Sequence, residues 1–149
     1  MPQSPASQLK SFLAKFNPEM ANLVRACRSA MRKRFPTANE LVYDNYNFFV
    51  IGYCPTEVPS DCRISLAANS KGVNLNFLDG SKLPDPHKLL LGSGSLNRFL
   101  RLQDAAALNR PEVKALLDAA AAQTRPPFAK SGPGKLIIRS VSKKQRPRK

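Results

Sequence analysis

The sequence predicts a two-layer α+β domain, in which an antiparallel β-sheet packs against two N-terminal helices and one C-terminal helix. Three observations lead to this prediction. Apolar residues recur at helical spacing up to residue 34 and again after residue 109. Between residues 41 and 102, short segments are rich in aromatic and β-branched residues or alternate apolar and polar residues with a period of two. Turns rich in Asn, Asp and Gly separate the alternating segments, which favours a meander of antiparallel strands.

Two helices are predicted at the N-terminal end. The first spans Ser7 to Phe16, and the second begins after Asn17, a favourable capping residue, and runs to about Arg34. Pro18 suits the first turn of the second helix, because a proline there loses no intrahelical hydrogen bond. The cations of this helix are expected on its solvated surface, and they are Arg25, Arg28, Arg32 and Lys33.

Five strands and a last helix follow. Val73 to Leu78 is the clearest strand, since Asn74 and Asn76 alternate with apolar residues as expected for a sheet with one wet face. The final helix is predicted from a capping Asn109 to Gln123. The other four predicted strands are Leu41 to Tyr43, Phe48 to Tyr53, Arg63 to Ala68 and Asn97 to Leu102.

The net charge of +14 comes mainly from the C-terminal segment. Residues 125–149 contain nine basic side chains and no acidic one, whereas residues 1–124 have a net charge of +5. Because Pro and Gly are frequent after Thr124 and apolar surface is scarce, we predict a domain over residues 1–124 and a flexible basic arm over residues 125–149. Leu136, Ile137 and Ile138 are the exception, since they can add an edge strand or pin the arm to the domain.

Several classes of protein are disfavoured by composition. No apolar run approaches the roughly 20 residues of a membrane-spanning helix, and the N-terminus lacks a secretory pattern, so a cytoplasmic protein is expected. The three cysteines show no C-x-x-C spacing, which predicts reduced thiols and no metal site. Cys54 and Cys62 flank a predicted loop and can come close, and whether they pair is left open. No motif predicts a cofactor.

A glycine loop is the best candidate for a small-anion site. Its backbone amides can point outward together, and nearby cations can bind a phosphate or a carboxylate. The pattern is neither a Walker motif nor a dinucleotide fingerprint, and the alternative is a plain turn with solvated arginines. The candidate residues are Lys88, Gly92, Ser93, Gly94, Arg98 and Arg101.

The basic arm is the candidate site for polyanions. Unopposed cations on a mobile chain attract nucleic acid because binding releases condensed counterions. The alternatives are a role in solubility or a contact with another protein, and a membrane surface is disfavoured because no amphipathic helix or lipidation signal accompanies the charge. The candidate residues are Lys143, Lys144, Arg146, Arg148 and Lys149.

An aromatic cluster occupies the first two strands. It comprises Tyr43, Tyr46, Phe48, Phe49 and Tyr53. Aromatic side chains between cations can stack nucleobases, but the order of elements does not match a sheet-type RNA reader. Core packing, or the wall of an apolar pocket between sheet and helices, is the preferred interpretation.

Several motifs resemble the YdhG-like family of domains of unknown function. They are an Asn-Leu-Asn-Phe strand, a Gly-Ser-Gly loop followed by Arg-Phe, and a Pro-Glu-Val-Lys-Ala-Leu-Leu helix. The resemblance covers about Ser7 to Gln123 and implies a compact two-layer α+β domain. Because some members are described as frataxin-like iron chaperones, the resemblance also implies iron delivery as a function. Iron delivery needs clustered carboxylates, whereas the ten acidic residues here are spread singly. The sequence also has Ser95 just after the glycine loop, at a position where the family often has a lysine.

The sequence therefore favours a noncatalytic binding or accessory domain with a polyanion-attracting arm. One alternative is an enzyme or carrier for a small anion at the glycine loop, and another is the iron chaperone that the resemblance implies. His87 is the only histidine, and no nucleophile pattern accompanies it, so no catalytic residue is predicted. The oligomeric state is left open.

Overall fold

A computed structural model describes residues 3–149 and contains three α-helices in that range. They are α1 (Pro5–Leu13), α2 (Pro18–Arg34) and α3 (Pro111–Gln123). The same residues form six strands: β1 (Asn39–Asp44), β2 (Phe49–Cys54), β3 (Ile64–Asn69), β4 (Gly72–Phe77), β5 (Arg98–Leu102) and β6 (Leu136–Val141). None of the helices in the described range is long and apolar enough to cross a membrane.

The six strands form one sheet in the order β5-β4-β3-β2-β1-β6. Strands β1 to β5 pair antiparallel in sequence order, which confirms the predicted meander and the α+β class. Strand β6 departs from this pattern, because it pairs parallel with β1. A parallel neighbour requires a long crossover, and the chain supplies it by passing through α3 before it reaches the far edge of the sheet.

Strand β6 places part of the predicted flexible arm in the folded sheet. Leu136 and Ile138 pack against the core, and both lie in β6, so these apolar residues form the edge strand, one of the two alternatives predicted for them. The structure therefore differs from an arm that is free from residue 125 onward. The physical reason is the outer edge of β1, whose backbone groups gain hydrogen-bonding partners when β6 lies beside it.

The hydrophobic core lies between the three helices and one face of the sheet. Val42, Ile51, Leu66, Leu75 and Leu100 are neighbours across five strands and face the helices. Each is at most 9% exposed, and burying such a side chain contributes about 1.5–3 kcal/mol. None of the three α-helices found in residues 3–149 packs on the opposite face of the sheet, which holds the alternate residues of every strand.

The start of α3 differs from its prediction. Asn109 ends a short 3-10 segment, Ala105–Asn109, and Arg110 is the residue that precedes the helix. The side chain of Asp104 accepts a hydrogen bond from the Ala107 amide at 2.9 Å and so caps the 3-10 segment. This local capping shifts the beginning of α3 to Pro111.

Candidate functional site

A cationic groove lies between α1 and α2. It has a volume of about 570 Å³, and its floor includes the apolar side chains of Leu9 and Leu13. Three of its cations are on one face of α2, since residues three, four or seven positions apart are neighbours on a helix. We call the lining cations the groove cations, and they are Lys10, Arg25, Arg28, Arg32 and Lys33.

Glu40 is the acidic residue that ion-pairs with groove cations within residues 3–149. Arg28 donates two hydrogen bonds to its carboxylate, at 3.0 and 2.9 Å, and Arg32 lies 3.8 Å away. The Tyr53 hydroxyl also donates to Glu40, at 3.0 Å. Burial, followed by the charge of Glu40, raises the pKa of Tyr53 well above its ordinary value, so Tyr53 remains a donor.

The other three groove cations keep their charge exposed. Lys10, Arg25 and Lys33 are exposed, and none forms an ion pair in the described part of the chain. Arg25 donates to the neutral Asn22 side chain at 3.0 Å. The groove therefore has a positive excess that no carboxylate within residues 3–149 cancels.

The C-terminal segment extends this charge beyond the groove. A second depression shares Arg28 and Arg32 with the groove and adds Lys135, just before β6. At the other end of α1, Lys15 donates to the Gln145 side chain at 2.9 Å, which brings the segment after β6 to the same helix. Four of the predicted polyanion-binding residues are exposed there: Lys143, Lys144, Arg146 and Lys149.

Arg148 is the exception among the predicted polyanion-binding residues. It is only 4% exposed, and it donates to the Asp44 carboxylate at 2.9 Å and to the Asn45 carbonyl at 2.6 Å. Lys15 donates to the same carboxylate at 2.7 Å. Burial favours the neutral acid, but these hydrogen bonds outweigh it and lower the pKa of Asp44. The structure thus places Arg148 in a buried ion pair instead of on the binding surface.

The six predicted small-anion residues are not brought together in one cavity. Arg98 donates to the carbonyls of Gly94 and Asn97, at 2.5 and 2.7 Å, so the glycine loop directs carbonyl oxygens at this arginine. Gly92 has a φ of +115° and Lys88 a φ of +52°, both in the left-handed region. Lys88, Gly92, Ser93 and Gly94 are exposed, whereas Arg98 and Arg101 line a separate basin.

This basin lies on the helix-free face of the sheet and has a volume of about 710 Å³. Tyr43 and Phe48 line it, whereas Phe49 and Tyr53 face the helices. The aromatic cluster is thus divided between the core and a pocket, but the pocket lies on the face opposite to the one predicted. Small side chains at alternate strand positions were the sequence signal that could have indicated this pocket. One of them, Ala67, lies on the basin floor.

The two cysteines that flank the loop between β2 and β3 are close, as predicted. The neighbouring Cys62 thiol lowers the pKa of Cys54 against the effect of burial, and the proximity of Cys54, followed by burial, raises the pKa of Cys62. Both thiols are free. Cys62 packs over Gly52, where an added Cβ atom would lie 2.7 Å from its sulfur. In residues 3–149, no three His, Cys, Asp or Glu side chains are grouped to hold a metal ion.

A scan against protein-family models found no match for this chain, and neither did searches of the curated proteins and the solved structures. The YdhG-like resemblance therefore stays a prediction. The geometry of the groove and of the basin is the basis for the functional proposals.

Proposed function

We propose that the protein is a noncatalytic nucleic-acid-binding domain that holds phosphate backbones on its helix side. The observation that carries this proposal is the groove, which collects five cations against one ion-paired carboxylate. We call the binding surface the basic surface. It consists of the groove cations together with Lys143, Lys144, Arg146 and Lys149.

The spacing of the groove cations suits a chain of phosphates. Arg25, Arg28 and Arg32 recur about once per helical turn, and one turn rises about 5.4 Å. Arginine and lysine on a surface of this kind bind by releasing counterions, so the logarithm of affinity falls with the logarithm of salt by about 0.9 per phosphate contacted on duplex DNA. Contacts to phosphates alone predict affinity with little sequence preference.

The carboxylates near this surface are already engaged. Asp44 is paired with Lys15 and Arg148, Glu40 with Arg28, and Asp118 with Arg34. Phosphates approaching the helix side therefore meet few free negative charges. The same pairing gives no support to the iron-chaperone alternative, because a hard cation needs carboxylate oxygens that are free to bind it.

The direct test measures binding to short fluorescent duplex and single-stranded oligonucleotides, from about 50 to 200 mM salt. Arg25→Gln/Lys33→Gln removes two unpaired groove cations and leaves the Arg28–Glu40 pair in place. We expect weaker binding and a salt slope that falls by about one to two, because each lost phosphate contact removes about 0.9.

The matched control is Lys71→Gln/Lys82→Gln, which removes the same charge from two exposed lysines outside the groove. It should retain most of the affinity and the slope of the unaltered protein. If both double variants weaken binding equally, net charge alone explains the binding and the groove is not the site. If the unaltered chain fails to bind at about 150 mM salt, the proposed function is wrong.

A further inference from the structure

We propose that the helix-free face of the sheet is a binding site for a small aromatic anion, such as an aromatic carboxylate or sulfonate. We call this site the sheet basin. It shares no residue with the basic surface, whose groove cations lie on the helix side, and the proposal does not depend on nucleic-acid binding. The basin volume of about 710 Å³ falls within the range of about 300–1,000 Å³ that is usual for small-molecule sites.

The shape of the sheet basin follows from strand register. Tyr43, Val50, Ala67, Asn74 and Arg101 are successive neighbours across β1 to β5. In this row an aromatic ring and an arginine flank small or short side chains. Such an arrangement makes a depression instead of a flat sheet, because the central side chains are too short to fill the face.

The next row is shallow only at its β3 and β4 positions, because Cys62 packs over Gly52 at its β2 position. Gly52, Ser65, Asn76 and Phe99 are neighbours across β2 to β5, so an aromatic side chain again follows small ones. Phe99 on β5 and Phe48, the residue just before β2, both line the basin. A planar ring that enters this space can pack against aromatic faces and edges, which prefer centroid separations of about 4.5–7 Å.

Asn74 supplies an unmet hydrogen-bonding requirement on the basin floor. Its side-chain oxygen is buried and has no hydrogen-bond partner among residues 3–149. A buried acceptor without a donor is unfavourable, and buried polar atoms in proteins are almost always partnered. Asn74 itself is only partly buried and lines the basin. When its amide group rotates toward the basin, a ligand that carries a donor, such as an amine or a hydroxyl group on its ring, satisfies this oxygen and gains orientation.

The charge at the rim selects an anion. Arg63, Arg98 and Arg101 line the basin, and no Asp or Glu is among the lining residues. Arg63 pairs with Asp79 at 2.9 Å, and Arg98 is bound to its own loop. Arg101 is exposed and forms no ion pair in the described part of the chain, and its guanidinium lies 5.9 Å from the centre of the Phe99 ring. Arg101 is therefore free to bind an acid group beside an aromatic wall.

The same charges disfavour a second copy of the chain as the occupant. A symmetric dimer through this face would bring together two copies of Arg98 and Arg101, neither of which forms an ion pair within residues 3–149. Like charges across an interface are unfavourable. A small anion removes the repulsion, whereas a second copy doubles it.

The test uses two fluorescent probes that differ in charge. 8-Anilinonaphthalene-1-sulfonate carries an aromatic ring system, an amine donor and a sulfonate, and N-phenyl-1-naphthylamine is its uncharged counterpart. We expect one molecule of the sulfonate per chain. Arg101→Gln should raise its dissociation constant about tenfold, as expected for loss of a charge-assisted contact, and should change binding of the uncharged probe less than about twofold.

Ala67→Leu tests the location, because a larger side chain on the basin floor occupies the ligand volume and should weaken both probes. Arg101→Gln is at an exposed position and keeps the test decisive if the leucine variant unfolds. Amide chemical shifts should change around Ser65, Asn76 and Phe99 when the sulfonate is added. The helix-groove variant Arg25→Gln/Lys33→Gln should bind the sulfonate as the unaltered chain does.

Three results would overturn the proposal. The first is an unchanged sulfonate affinity in Arg101→Gln. The second is a loss of sulfonate binding in Arg25→Gln/Lys33→Gln, which would locate the probe in the helix groove. The third is a dimer in sedimentation experiments that Ala67→Leu dissociates, which would identify a second copy as the occupant. Failure of nucleic-acid binding leaves all of these readouts unchanged.

Discussion

At the scale of single residues, the buried ion pair of Asp44 and Arg148 is expected to affect the free energy of unfolding more than any other pair described above. Both side chains are nearly inaccessible, at 1% and 2% exposure, and they join β1 to the segment after β6. A buried charge that loses its partner is strongly unfavourable, because water no longer solvates it. This pair therefore fixes the C-terminal segment far more firmly than the surface pair of Lys135 and Glu57, which solvent screens.

We expect Arg148→Ala to lower the free energy of unfolding by about 3 kcal/mol, because it leaves the Asp44 carboxylate buried with Lys15 alone. Urea denaturation at neutral pH measures this change. Lys135→Ala is the matched control, and it should cost less than about 1 kcal/mol because it breaks an exposed pair. Equal effects of the two substitutions would show that Arg148 is not held in the buried pair.

Asp44 also predicts a pH dependence. Its folded pKa lies below the ordinary value of 3.8, so the unfolded state takes up a proton more readily than the folded state. The stabilising contribution is fully present above about pH 5 and is lost as the pH falls through 3.8 and below. Asp44→Asn should lower stability at neutral pH and flatten the loss between about pH 5 and 2, as measured by urea titrations at each pH. If Asp44→Asn and the unaltered protein lost the same free energy of unfolding between about pH 5 and 2, this assignment would be wrong.

At the scale of elements, β6 depends on a glycine that precedes it. Gly134 lies so close to β1 that an added Cβ atom would overlap the Ala38 carbonyl, and the neighbouring Lys135 amide bonds to the Asn39 side chain at 2.9 Å. A strand can approach an edge this closely only where no side chain intervenes. The parallel pairing of β6 therefore begins at a position that requires glycine for space.

We expect Gly134→Ala to displace the start of β6 and to lower the melting temperature by several degrees. The control is Gly94→Ala, since an added Cβ atom at that position meets no other atom within 4 Å. Hydrogen exchange should also increase at the β1 amides in Gly134→Ala, because their partners on β6 are lost. An unchanged melting temperature and unchanged exchange would rule out this account of Gly134.

The meander and its helices were predictable because each depends on local sequence. Alternation in Val73 to Leu78 and the helical spacing of Val24, Cys27 and Met31 identify buried faces without knowledge of the partner. The apolar group at Leu136 to Ile138 indicated an edge strand, but its parallel direction depends on a neighbour about a hundred residues away. Local patterns contain no such information.

The candidate site was predicted less completely for the same reason. The exposed C-terminal lysines follow directly from composition, but the pairing of Arg148 with Asp44 is a long-range contact. The sheet basin arises from short side chains that become neighbours only through strand register, as Ala67 and Asn74 do. Their shared depression is a property of the sheet, and no single strand shows it.

At the scale of the whole molecule, the sheet separates two proposed binding sites of different character. The groove cations lie with the helices, and the sheet basin lies on the opposite face, so one layer of strands stands between the groove and the basin. Because the two surfaces share no residue, their proposed ligands do not compete for contacts. Residual coupling arises only from the charge of one ligand acting on the other, and salt screens that interaction.

This separation predicts independent binding. The dissociation constant of the naphthalene sulfonate should change less than about twofold when saturating duplex DNA is present at about 150 mM salt. Fluorescence titration with and without the duplex measures it, and the uncharged naphthylamine controls for direct binding of the probe to DNA. Strong competition would place both ligands on one surface.

The long-range pairing of Asp44 also affects how the protein is made. Its partner Arg148 follows 104 positions later in the chain. At about 5–20 residues per second, the ribosome needs roughly 5–20 s to make that interval. During this time the outer edge of β1 has no neighbouring strand, and the carboxylate of Asp44, the last residue of β1, has no arginine partner. The nascent chain therefore exposes a strand edge that chaperones can bind, and β1 gains its outer neighbour only after the late segment emerges.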